Sequence, residues 1–113
     1  MPAYTFYTKP TCTTCRNAKR HLEDAGVALT VVDINTDTPS RAFLEAHIDE
    51  ERFLDFVSVR SPVFKTRPLP RTKAEAIDLM LENSNLIKRP VLVDGERAIF
   101  GFDRKAYAAA GIR

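Results

Sequence analysis

Cys12-Thr13-Thr14-Cys15-Arg16 holds both cysteines of this 113-residue chain and stands where a strand should hand over to a helix. Upstream, Ala3 to Tyr7 reads as a short buried strand and Lys9-Pro10-Thr11 as a turn. Downstream, Asn17 opens a helical pattern whose apolar residues Ala18, Leu22 and Ala25 share one face. Cys12 is therefore expected at or just before a helix N-terminus. The first backbone N–H groups of a helix have no partner within it and carry partial positive charge, so they favour a thiolate over a thiol. That makes Cys12 the expected nucleophile. Two intervening residues bring Cys15 back over the first turn, within the span of a disulfide, as the expected resolving thiol.

Competing readings of the cysteine pair are weaker. A structural zinc site needs four ligands; no second C-x-x-C exists, and His21 and His47 lack the close pairing of a Cys2His2 finger, so no metal site is expected. A purely structural disulfide is disfavoured, because closing so short a loop removes little entropy from the unfolded chain. Met1-Pro2-Ala3-Tyr4 has neither a basic lead nor an apolar signal core, which predicts a cytoplasmic protein. In that compartment a C-x-x-C beside a β-α-β pattern is more often redox-active than structural.

Composition sets outer bounds. With 44% hydrophobic and 28% charged residues, the chain reads as one globular domain over residues 1–113, expected to be a monomer. No apolar run reaches membrane length, and a formal charge of +2 does not suit a dedicated nucleic-acid binder. The cations are unevenly placed, however: Arg60, Lys65, Arg67, Arg71 and Lys73 follow one another with no acid among them. A solvated loop accounts for Lys65, Arg67 and Arg71 taken singly. Arg60 differs, since Val57 and Val59 before it and Pro62 after it can hold it in place.

Further along, Gly26 ends the first helix and Leu29 to Ile34 forms a second strand, completing a β-α-β unit with the C-x-x-C at the carboxyl end of its first strand. Thr38 is read as the cap of a second helix with Pro39 at its first position, and Phe43, Leu44 and Ile48 as its buried stripe. A short helical turn from Arg52 to Phe56 and an irregular stretch from Val57 to Pro70 come next. Thr72 caps a third helix with Glu75 in capping-box spacing, burying Ile77, Met80 and Leu81. After Asn83-Ser84-Asn85, Val91-Leu92-Val93 is a strand, Asp94-Gly95 a hairpin turn leading to Arg97–Phe100, and Asp103 the cap of a last helix anchored by Tyr107. His21 is expected to be exposed, and no general base is assigned.

At Arg89-Pro90, just ahead of an apolar strand, the chain resembles the thioredoxin fold, in which a cis-proline faces the redox motif. Proline is the residue type for which a cis bond is accessible. More narrowly, it resembles the arsenate reductase (ArsC) and Spx-like family. The carriers are Tyr7 through Arg16 (Y-T-K-P-T-C-T-T-C-R), Arg60-Ser61-Pro62-Val63-Phe64, Leu86-Ile87-Lys88-Arg89-Pro90 and Gly101-Phe102. The resemblance implies an α/β, thioredoxin-like fold: a four-stranded mixed β-sheet flanked by helices, with a helical insertion between the second strand and a C-terminal ββα unit.

The same resemblance implies that Cys12 attacks and that Arg60 and Arg89 are two of the three arginines with which arsenate reductases hold the oxyanion. Thr11, Arg16 and Pro90 complete the expected anion- and substrate-binding set. Guanidinium groups suit the task, giving bidentate bonds to oxyanions and lowering a neighbouring thiol's pKa. Two features depart from the reductase pattern: Gly101-Phe102 stands where the third arginine would be, as in Spx-like members, and Cys15 adds a resolving thiol. The leading functional expectation is a thiol-disulfide oxidoreductase without a tightly bound cofactor, supplied with electrons by glutathione, glutaredoxin or thioredoxin. The other is an Spx-like redox-switched regulator that contacts RNA polymerase, with the basic loop as partner surface.

Overall fold

The computed structural model describes residues 4–9, 11–95 and 97–112. Ala3 and Pro10, assigned above to the first strand and its turn, lie outside them. The strand, β1 (Tyr4–Thr8), pairs in parallel with β2 (Leu29–Asp33), and helix α1 (Thr13–Asp24) connects the two. The helix begins one turn earlier than its apolar periodicity indicates, directly after Cys12, because Thr13 and Thr14 carry no apolar signal. On its other side β1 pairs antiparallel with β3 (Val91–Asp94), which pairs antiparallel with β4 (Arg97–Phe100). The strand order β2-β1-β3-β4 makes the mixed four-stranded sheet of the expected thioredoxin-like α/β class.

Strand alternation divides the core in two. Phe6, Leu92 and Ile99 face the side covered by Ala18 and Leu22 of α1, together with Tyr107 of α4 (Arg104–Ala109). Tyr7, Val91, Val93 and Phe100 face the other side. There they meet Leu44 of α2 (Arg41–His47) and Ala76, Ile77 and Met80 of α3 (Lys73–Glu82). The helical insertion between β2 and β3 thus covers one face by itself. No helix among the described residues is long and apolar enough to cross a membrane.

Local expectations fare unevenly. Ser40, not Thr38, caps α2: its Oγ accepts from the Phe43 N–H at 3.1 Å, while the Thr38 hydroxyl donates back to the Ile34 carbonyl at 3.0 Å. Side chains of this type compete for nearby backbone groups, and here Thr38 closes the end of β2 instead. Thr72 caps α3 as expected, through the Glu75 N–H at 3.1 Å. Leu81 is 38% exposed, and Leu79 takes the buried position. Asp94 pairs with Arg97 and so belongs to the strand, leaving Gly95, at φ +57°, in the turn.

One irregular connection positions the site. Val57 and Ile87 form an isolated antiparallel bridge. Around it the Ser58 N–H donates to the Leu86 carbonyl at 2.8 Å, the Ser58 hydroxyl to the Ile87 carbonyl at 3.1 Å, and the Lys88 N–H to the Phe56 carbonyl at 2.9 Å. These bonds lay the segment leading to Arg60 alongside the segment leading to Arg89.

Candidate functional site

Cys12 is the N-cap of α1, with φ −91° and ψ 113°, and its Sγ accepts a hydrogen bond from the Cys15 N–H at 3.2 Å. A cap residue uses its side chain to satisfy an orphan N–H of the first turn, and here the acceptor is sulfur, which as thiolate accepts more strongly. Burial pushes the Cys12 thiol up. Hydrogen bonds from the Cys15 thiol and backbone N–H, together with the hydrogen bond and charge of the Arg89 guanidinium, outweigh that and hold it below the usual thiol range.

Cys15 is 1% exposed, and burial pushes its thiol up. Its hydrogen bond to Cys12 and the Cys12 charge add to the rise, which bonds with the Thr8 side chain and the Lys9 backbone only partly offset. Both cysteines are free thiols. One environment therefore drives the two thiols apart, the outer toward thiolate and the inner toward thiol.

Arg89 precedes a cis peptide bond to the buried Pro90. Its Nη1 donates to the Asn85 carbonyl at 2.6 Å, while its Nε is buried without a partner among the described residues. Arg60 is exposed, on the turn where the Ser61 N–H donates to the Ser58 carbonyl at 3.0 Å. Cys12, Arg60 and Arg89 line one crevice of about 990 Å³. Thr11 and Arg16 do not line it: both are exposed, and the Arg16 Nη2 donates to the Thr13 hydroxyl at 3.4 Å. Pro90 and Cys15 are buried and do not line it either.

Lysines 9 and 88, Asn85 and Phe102 also line the crevice, and only Phe102 had been placed near the site by the sequence. Adjacency to Arg89 was the one signal for Lys88, and its place three residues before Cys12 the one for Lys9. Tyr7 packs against Phe43, with ring centroids 6.2 Å apart. His21 is half-buried rather than exposed, its ring 5.5 Å from Phe102 and 6.0 Å from Tyr107. Lys65, Arg67 and Arg71 are exposed and off the crevice. Lys73 is engaged elsewhere, its Nζ donating to the Glu45 carbonyl at 2.8 Å. Among the described residues no group of three or more His, Cys, Asp or Glu is placed to hold a metal.

The ArsC family model matches residues 7–110. The chain belongs to the ArsC family. Within it, the chain is 30% identical over 104 residues to the regulatory protein MgsR of Bacillus subtilis, covering 88% of this chain and 82% of that one. It is 31% identical over 104 residues to the global transcriptional regulator Spx of Streptococcus mutans, covering 88% and 76%. A solved structure of a possible arsenate reductase from Streptococcus mutans superimposes with a TM-score of 0.77 at 26% identity, covering 98% of this chain and 99% of that one. The ArsC family thus joins regulators and reductase-like proteins on the fold seen here.

Proposed function

We propose that the protein is a thiol-disulfide oxidoreductase in which Cys12 attacks and Cys15 resolves. The observation that carries this reading is the cap itself: a lowered Cys12 thiol at the end of α1, open to a cationic crevice, with a buried, raised Cys15 thiol bonded behind it. In the first step the Cys12 thiolate attacks one sulfur of a disulfide; a bond forms from Cys12 Sγ to that sulfur, the S–S bond breaks, and the departing thiolate takes a proton from solvent. Cys12 is then neutral, and two influences that had held Cys15 as a thiol, the Cys12 charge and hydrogen bond, are gone. Cys15 loses its proton to solvent and attacks Cys12 Sγ, closing the Cys12–Cys15 disulfide and releasing the second thiolate. A cellular thiol, glutathione or thioredoxin, returns two electrons and two protons. Arg60 and Arg89 hold an anionic group of the acceptor beside Cys12.

Coupled assays with glutathione or thioredoxin, their reductase and a small mixed disulfide test the reading through NADPH loss. Turnover should vanish in Cys12→Ser, and Cys15→Ser should accumulate the mixed disulfide on Cys12. Wild-type protein that turns over no disulfide, or Cys12→Ser that works as well as wild type, overturns it. A second reading is favoured by the kinship to MgsR and Spx: a redox-switched regulator whose dithiol state sets binding to RNA polymerase. Pull-downs of polymerase subunits with reduced and oxidised protein test it, and binding by neither form rules it out.

A further inference from the structure

We propose that the oxidised acceptor is a protein, and that Leu54 and Val59 receive a bulky apolar residue standing next to the acceptor's cysteine. The inference rests on the reading of Cys12 as the attacking thiol and adds the class of substrate. Leu54 is 38% exposed and Val59 43%, and both line the crevice that Cys12 lines. Pro62, Val63 and Phe102 line it with them, the first exposed and the other two half-buried. Single apolar side chains are common on any surface, but a group of them along one concavity beside a reactive thiol forms a patch. Val31, Leu69 and Leu81, the other large apolar residues exposed among the described residues, stand off the crevice.

The local backbone builds this exposure in. Leu54 belongs to a single helical turn, Phe53–Phe56, in which Phe53 and Phe56 pack against the core. The Val57 N–H donates to the Leu54 carbonyl at 3.2 Å and the Val59 N–H to the Val57 carbonyl at 2.9 Å. Val57 itself is buried and bridged to Ile87. Anchoring Phe53, Phe56 and Val57 inward leaves Leu54 and Val59 to solvent on a fixed frame, so a ligand that covers them has little backbone to order.

Chemistry selects the occupant. Small cellular disulfides, such as that of glutathione, flank sulfur with amides and charges, which gain nothing from apolar surface. An aliphatic or aromatic group close to a disulfide sulfur belongs to a protein. At about 990 Å³ the crevice also stands at the upper end of the ~300–1,000 Å³ of small-ligand sites, with room for more than a lone cysteine. Charge narrows the choice further. Arg60 and Arg89 line the crevice, while its one acid, Asp55, has its Oδ2 bonded by the Arg52 Nε at 3.2 Å. The fitting segment is apolar beside its cysteine and acidic rather than basic around it.

The test is single-turnover reduction by the full chain of three mixed disulfides of the coloured thiol 2-nitro-5-thiobenzoate. Two are with short acidic peptides that differ only in having leucine or serine on both sides of the cysteine, and the third is with glutathione. Cys12 attacks the peptide sulfur and the coloured thiolate leaves. Cys15, losing its proton to solvent, then displaces the peptide thiolate, which takes a proton up; the dithiol gives two electrons and the mixed disulfide receives them. Rates are taken relative to those with dithiothreitol, which removes the peptides' own difference in reactivity. Wild type should favour the leucine peptide over the serine peptide about tenfold. The near-isosteric double variant Leu54→Asn/Val59→Thr should bring that ratio to about one, with far less change in the glutathione rate. No preference in wild type, or a preference that survives in the double variant, overturns the proposal. Equal release from all three in wild type sinks this proposal alone, whereas release from none sinks the thiol-disulfide reading with it.

Discussion

The Arg89 guanidinium is among the largest influences holding the Cys12 thiol down, whereas Arg60, which lines the same crevice, is not. The two arginines should therefore separate experimentally. Arg89→Ala should move the pH profile of Cys12 alkylation to higher pH and slow the reaction at neutral pH. Arg60→Ala should leave the profile in place and raise KM for an anionic acceptor. Equal pH profiles in all three proteins would contradict this division. Tyr107 offers a second residue-scale test. Burial, then the Cys15 and Asp103 charges, push its phenol up, and its hydroxyl is buried without a partner among the described residues. A group raised on folding stabilises the fold below its unfolded pKa and loses that contribution as pH rises toward the folded one. Cys15, also raised, acts in the same direction. In the thiol range the lowered Cys12 works against Cys15, so stability should decline chiefly as the pH climbs past the ordinary phenol range. Tyr107→Phe should flatten that decline and, by removing an unbonded hydroxyl, stay within about 1 kcal/mol of wild type at pH 7. Urea titrations at neutral and alkaline pH measure both effects.

At the scale of elements, what could be read in the sequence was the periodicity and what could not was the choice among neighbouring polar residues. Thr72 was legible as a cap because Glu75 follows at the right spacing and no rival hydroxyl lies beside it on the helix side. Thr38 and Ser40 offer two hydroxyls around Pro39, and only the three-dimensional end of β2 decides that Thr38 bonds the Ile34 carbonyl and leaves the cap to Ser40. Accordingly Ser40→Ala should cost about 1 kcal/mol through lost capping, comparable to Thr72→Ala. Chemical denaturation of the two variants checks it, and a neutral Ser40→Ala would return the cap to doubt. The position of α1 was legible at its start only through the C-x-x-C, since its first turn is polar.

Across the whole molecule, the β-α-β and ββα halves were legible from alternation and turns, and the thioredoxin-like arrangement followed from Arg89-Pro90 ahead of an apolar strand. The crevice was legible only in part. Cys12, Arg60 and Arg89 could be named, but their convergence depends on the bonds between residues 56–58 and 86–88, which link segments about thirty positions apart and leave no periodic trace. Lys88 came to the crevice by the same route, and Lys9 through the turn that leads to Cys12, where the Cys12 N–H donates to the Lys9 carbonyl at 3.0 Å. Thr11, in the turn before the cap, and Arg16, on the first turn of α1, stand beside the cysteines in sequence yet are exposed and off the crevice. The sheet that carries all this is held from both faces. Leu92 is 1% exposed between β1 and β4, so Leu92→Ala should cost about 2–5 kcal/mol in equilibrium unfolding.

The most direct measurement is site-resolved alkylation of the reduced protein across pH, with each cysteine followed separately by peptide mass spectrometry. Cys12 should react with a midpoint below that of an ordinary thiol, and Cys15 should lag with a midpoint above it. Cys15 reacting first, or both cysteines titrating together at the ordinary value, would contradict a nucleophile and a resolving thiol set apart by the cap of α1.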